Sequence, residues 1–153
     1  MELVLLSIHV LAGIVFVGGS AVAASLFPRY APVAVAADAA PSPEPIRAER
    51  SPAVAAALHR ITRGYAIPAL IVPAVGIVLA AVQGRMGEIW ISAAMILTAV
   101  AGALLVQIAP MQREALDHPD DGGRLRTLTM LAGIYNLLWA VVVVLMIVRP
   151  GAH

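Results

Sequence analysis

The chain has 153 residues, of which 61% are hydrophobic and 12% charged, and its formal net charge is +1. A water-soluble domain of this size is about half apolar and a quarter charged, so this composition leaves too little polar surface to cover a water-facing sphere. The near-neutral charge leaves no footprint for nucleic acid, and the absence of cysteine removes disulfides, thiolate metal sites and thiol chemistry together.

Four apolar runs fill most of the chain: Leu3 to Phe27, Gly64 to Val82, Ile89 to Pro110 and Thr127 to Val148. Each reaches the roughly 20 residues that a helix needs to cross a hydrocarbon core about 30 Å thick. Stretches such as AVVVVLMIV lack the two-residue alternation of a membrane strand. The predicted fold class is therefore all-α, a four-helix transmembrane bundle in a single domain spanning residues 1–153, with the lipid bilayer as its first partner.

In chain order, the first run is preceded by Glu2 rather than a basic residue. It exceeds the roughly 7 to 15 apolar residues of a signal sequence and reads as a span, although Ala21-Val22-Ala23 has the look of a cleavage site. Residues 28–51 follow, and their PSPEPIRAERSP stretch predicts a mobile linker, because proline and charge exclude a packed core. Ser51 suits an N-cap and Pro52 the first helical position, so the second helix is expected to start near Pro52, ahead of its apolar run. Arg29, Arg60 and Arg63 then fall at the membrane interface, where long side chains reach headgroup phosphates.

Pro68 and Pro73 lie inside the second span and release the carbonyls of Gly64 and Ala69, which predicts a kink. The short QGRMGE hairpin makes the second and third helices antiparallel neighbours, and HPDDGGR supplies the last reversal. All the basic residues are arginines. Eight of them (29, 47, 50, 60, 63, 113, 124 and 126) fall in the first and third connectors, against Arg85 and Arg149 on the other side. This bias predicts cytoplasmic connectors and extracytoplasmic termini.

Lipid gives helices no hydrophobic reason to associate, so close backbone approach at small residues must supply the attraction. Spacings of four occur at Gly19 and Ala23, at Gly76, Ala80 and Gly84, at Ala94, Thr98 and Gly102, and at Thr129 and Gly133. Asn136, with Gly133 and Ala140, is expected to face the bundle interior, and Asn136 and Gln107 are the candidate helix-packing amides, each contributing about 1 kcal/mol.

No Asp, Glu, Lys or Arg lies inside the four runs, which weighs against ion-coupled transport. His9 sits about two turns into the first span, at roughly the depth of Met95 on the third. Two readings of it stand: a histidine hydrogen-bonded to a carbonyl or hydroxyl, or a ligand that with Met95 holds haem iron or copper. His59 falls at the opposite face and would serve a separate site. The run Asp117 to Asp121 has metal-binding residue types without a loop's spacing and reads as a turn, while His153 ends a tail.

The segments SIHVLAGIVFVGG, AIPALIVPAVGIVLA, QIAPMQR and LLWAVVVVLMIVRP resemble the small four-helix bacterial "predicted integral membrane protein" family of unknown function. That family is similar to the membrane domain of copper-resistance D proteins and, more distantly, to the four-helix bacterial protoporphyrinogen oxidase. In the oxidase a first-span histidine precedes a Pro-Arg pair, an order echoed at longer spacing by His9 and Pro28-Arg29. The resemblance implies a multi-pass protein of a bacterial inner membrane, with haem b or copper as candidate cofactor at His9. Abundant alanine and arginine without lysine also suit a GC-rich bacterial genome. The functional expectation is a small non-catalytic integral membrane protein, as a homo-oligomer or an accessory subunit of a larger complex. The alternatives are a haem b- or copper-binding protein using His9, and a small dimeric permease whose path is lined by Asn136 and the Pro68/Pro73 kink.

Overall fold

Four helices, each long and apolar enough to cross a membrane, make up the computed structural model: α1 Glu2–Tyr30, α2 Pro52–Val82, α3 Ile89–Asp117 and α4 Gly123–Val148. Residues 1–34 and 50–151 are described, and no strand occurs among them. Of the expected mobile linker, 28–51, residues 35–49, which hold most of its proline-rich stretch, lie outside the described residues. The start of α1, the 83–88 hairpin and the end of α4 share one end of the bundle, where Glu2, Gln83, Arg85 and Arg149 line a common depression. The other two connectors share the opposite end.

All four helices outrun their apolar stretches at the connector end, α4 by starting at Gly123 rather than Thr127. α1 continues through Pro28 to Tyr30, so the expected 28–51 connector begins later. α2 starts at Pro52, where the Ser51 hydroxyl accepts the Val54 amide at 3.4 Å, and its first turns bury Ala55, His59 and Thr62 along one stripe. α3 runs past Pro110 to Asp117, burying Gln112 and Ala115. Polar residues on the far side of each stripe let these segments leave lipid without ceasing to be helical.

The expected kink in α2 is a 3-10 turn, Pro68–Leu70, between Pro52–Ala66 and Ile71–Val82. Pro73 then falls in the first turn of the resumed helix, where a missing N–H forfeits no intrahelical bond. The break redirects the helix. Its first half packs against both Gly19–Tyr30 of α1 and α3, whereas its second half leans on Glu2–Ala12 of α1 and barely touches α3. The hairpin-linked helices are antiparallel neighbours as expected, with close contact confined to the first half of α2.

Within α1, Gly13–Gly18 is wound as a π-helix. Within it, Phe16 meets Tyr65 edge to face at 5.6 Å, and just beyond it Gly19 lies so close to the Tyr65 ring that a methyl group there would collide with it. Ala23 and Ala80 are buried at their seams, as is Ala94 on α3. The Thr129/Gly133 seam is not: both residues are exposed, and α4 instead buries Leu125, Leu128, Ala132, Tyr135 and Val142. Alanines 24, 101 and 132 make room in the core for Phe27 and Tyr135, each at most 1% exposed. The outward faces carry Ile14, Ile96, Val106, Leu137 and Ile147, the surface that lipid would solvate.

At the connector end, the Arg50 guanidinium donates to the Ala31 carbonyl at 2.6 Å and caps the end of α1. The Asp120 carboxylate accepts the amides of Gly122 and Arg124, both at 2.9 Å, across the Gly122 turn, whose φ of 95° favours glycine. The Arg124 amide foremost, helped by the Gly122 amide and the Arg124 charge, holds the Asp120 carboxyl below its ordinary range against an opposing effect of desolvation second only to that of the Arg124 amide. Because the folded group titrates lower than the unfolded one, its stabilisation is present above about pH 4 and is lost as pH falls through the folded value. Asp120→Ala is expected to lower the thermal midpoint at pH 7, and the gap to the parent should shrink in melts run below pH 4. An equal gap at both pH values would contradict this role.

Candidate functional site

His9 projects from α1 onto the second half of α2. Gly76 permits the approach, since a Cβ there would lie 2.9 Å from His9 Cε1 and 3.3 Å from Nδ1. Nδ1 is 2.9 Å from the Val72 carbonyl oxygen. A carbonyl only accepts, so Nδ1 carries the hydrogen and donates it, and in the neutral ring Nε2 is left as an unprotonated acceptor. Of the two readings of His9, its bond to a carbonyl is observed. That bond is also how proteins orient a ligating imidazole, so it does not preclude the other reading.

The ring borders a chamber of about 160 Å³, to which all four helices contribute. It exists because α2 turns away from α3 after Pro68–Leu70, opening a gap between them that α1 and α4 close from behind. Met95 and Thr98 enter from α3, and Trp139 and Met146 from α4. Gln83 and Arg149 border both the chamber and an open polar depression of about 270 Å³ at the termini end. The Arg149 guanidinium lies 5.9 Å from the Trp90 ring centre and donates to the Met146 carbonyl at 3.1 Å. The Trp90 indole N–H donates to Glu88, which also pairs with Arg85 at 3.5 Å. These contacts build one rim of the chamber from the hairpin and the end of α4.

The structure brings His9 and Met95 to the same chamber. Met146 joins them there; seven residues after Trp139, it shares that residue's helix face, a spacing present in the sequence but not singled out. Asn136 lies elsewhere. It donates to Ser25 Oγ at 2.8 Å, its own carbonyl oxygen is buried without a partner, and the flanking Gly133 and Ala140 are exposed, so it sits at the α1/α4 edge rather than in the interior. Gln107 is exposed, and the amide buried between helices is Gln112. Gln112 lies about 140° further round α3 and its Oε1 faces His59 Nδ1 at 3.4 Å. A second interhelical contact missed from the sequence is Ser20 to Tyr135, 2.8 Å between hydroxyl oxygens.

Arg29, Arg60 and Arg63 are exposed at the connector end. The Asp117 to Asp121 run forms the capping turn already described, and no cluster of three potential metal-ligating His, Cys, Asp or Glu residues occurs among the described residues. His153 lies outside them. The chamber offers one unprotonated imidazole nitrogen, two thioethers and a hydroxyl in an apolar setting, groups suited to holding a ligand. Comparison of the chain with family models, with curated proteins and with solved structures gives no match.

Proposed function

We propose that this multi-pass membrane protein is a non-catalytic binding protein of a bacterial inner membrane, with His9 as the polar anchor of its ligand site. In this reading both termini and the chamber mouth face outward and the arginine-rich connectors face the cytoplasm. The reading also groups the chain with the four-helix family it resembles. The observation that carries it is the His9–Val72 contact of 2.9 Å, which fixes the ring and frees Nε2 beside an apolar chamber. Native mass spectrometry of protein released gently from membranes tests it. A stoichiometric bound mass that disappears in His9→Ala is expected, whereas identical bare masses for parent and variant would refute it. Tags on both ends should be reachable from outside intact cells.

Copper is a second reading, favoured by the thioethers of Met95 and Met146 on the same chamber wall, because imidazole with soft sulfur donors suits the monovalent ion. Met95→Leu and Met146→Leu should each weaken copper(I) binding about tenfold in competition with a chelator, an estimate for loss of one of three ligands. Unchanged affinity would dismiss the metal. Haem fits poorly, since cavities of this volume accept one benzene-sized ring rather than a four-pyrrole plane. A homo-oligomer or accessory subunit would use the exposed Thr129/Gly133 strip of α4. The dimeric permease has less support, because Asn136 does not border the chamber.

A further inference from the structure

The chamber restricts the chemical class of its occupant. Its volume, about 160 Å³, is close to that of cavities that take a single six-membered ring. Trp90 and Trp139 both line it, and indole rings favour an aromatic guest. The anchor is an acceptor: Nδ1 is committed to Val72, so Nε2 can receive a hydrogen but has none to give. Among the described residues no carboxylate borders the chamber, and the one cation there, Arg149, is already stacked on Trp90 and bonded to the Met146 carbonyl at the rim. Ile77 of α2 and Met95 of α3 line the chamber and are also exposed on the apolar outer surface, giving an apolar substituent a way out between them.

Resting on the binding role proposed above, we infer that the ligand is a neutral hydroxylated aromatic ring with an apolar tail, a lipid-soluble phenol or hydroquinone. The ring occupies the space between the indoles, its hydroxyl donates to His9 Nε2, and its tail runs between α2 and α3 into the bilayer. A quinone carbonyl in the same place would present acceptor to acceptor and lose that bond. At the neutral His9 ring, binding therefore favours the reduced over the oxidised ring without any redox step in the protein, while the Trp139 indole N–H, buried without a partner, is the donor open to the ring's second oxygen.

The chain's two tryptophans both border the chamber, so their fluorescence reports occupancy directly. The probes are para-bromophenol and its methyl ether para-bromoanisole, alike in shape and heavy-atom quenching but differing in the donor. In detergent-solubilised full-length protein, the phenol is expected to quench saturably and to bind about fivefold more tightly than the ether, as one neutral hydrogen bond provides. His9→Phe should erase that preference while both probes still bind. The phenol should bind equally well to protein stripped of metal with a copper(I) chelator, which separates this ligand from copper. Equal affinity of the two probes for the parent protein would overturn the ligand class and leave the chamber's binding role standing; no saturable quenching by either would sink both.

Discussion

Gly76→Ala is expected to cut affinity for the chamber's ligand at least fivefold while the four-helix fold persists or gains stability. The new methyl would lie 2.9 Å from His9 Cε1 and 3.3 Å from Nδ1, well inside contact distance. Something must move, and the imidazole is a side chain whereas its opponent is helix backbone. His9 therefore swings away, breaks its bond to the Val72 carbonyl and loses the tautomer and aim that the bond imposes. The helix itself benefits, since alanine is favoured over glycine in a helix interior by up to about 1 kcal/mol. Melting curves and ligand titrations on the same sample should thus move in opposite directions. Undiminished binding by Gly76→Ala would show that the ring is not the anchor.

The largest loss of stability is expected from Phe27→Ala. Phe27 is fully buried where α1 meets the core built from Ala24, Ala101, Leu105 and Ile108. In a water-soluble protein such a truncation costs about 3 to 5 kcal/mol, part of it transfer from water. Here separated helices would still lie in lipid, so that part shrinks, and the cavity with its forfeited dispersion contacts leaves about 2 to 3 kcal/mol. Leu137→Ala is the control, because Leu137 is 64% exposed toward lipid and has almost no protein contacts to lose. Unfolding titrations in mixed micelles should separate the two variants clearly; similar midpoints would mean that the core does not hold α1 in place.

Both variants bear on how the chamber is built. Phe27 belongs to the tightly packed connector half of the bundle, whereas His9 and Gly76 belong to the half that the break at Pro68–Leu70 leaves open. Loss at Phe27 should weaken binding only as far as it unfolds the protein, and loss at Gly76 should weaken binding without unfolding it. Comparing the two distinguishes a chamber preorganised by the rigid half from one that the ligand must assemble.

The prolines illustrate how far local chemistry reaches. Ser51-Pro52 marks the start of α2 and Pro68 marks its break, because capping and a missing N–H act within one turn. The direction taken after the break follows from packing on α1, which no proline spacing encodes. The two glutamines of α3 make the same point. Both are polar and five positions apart, yet Gln112 is buried beside His59 and Gln107 is exposed, because the rotation of α3 is set by its neighbours. Likewise Thr129 and Gly133 offered a plausible small-residue seam, but α4 turned its Leu128, Ala132 and Tyr135 face inward.

Hydropathy is a sum over adjacent residues, so the sequence by itself determined an all-helical chain with four segments able to span a membrane, and placed His9 and Met95 at one depth. Depth needs only the rise per residue. Azimuth needs partners: which faces meet, how α2 diverges from α3, that Met146 joins the site and that Val72, 63 positions from His9, fixes its tautomer all depend on contacts between helices. The tertiary structure decided those, because in lipid the apolar surface of a helix looks much the same on every side and contact between backbones, not hydrophobic burial, chooses among them.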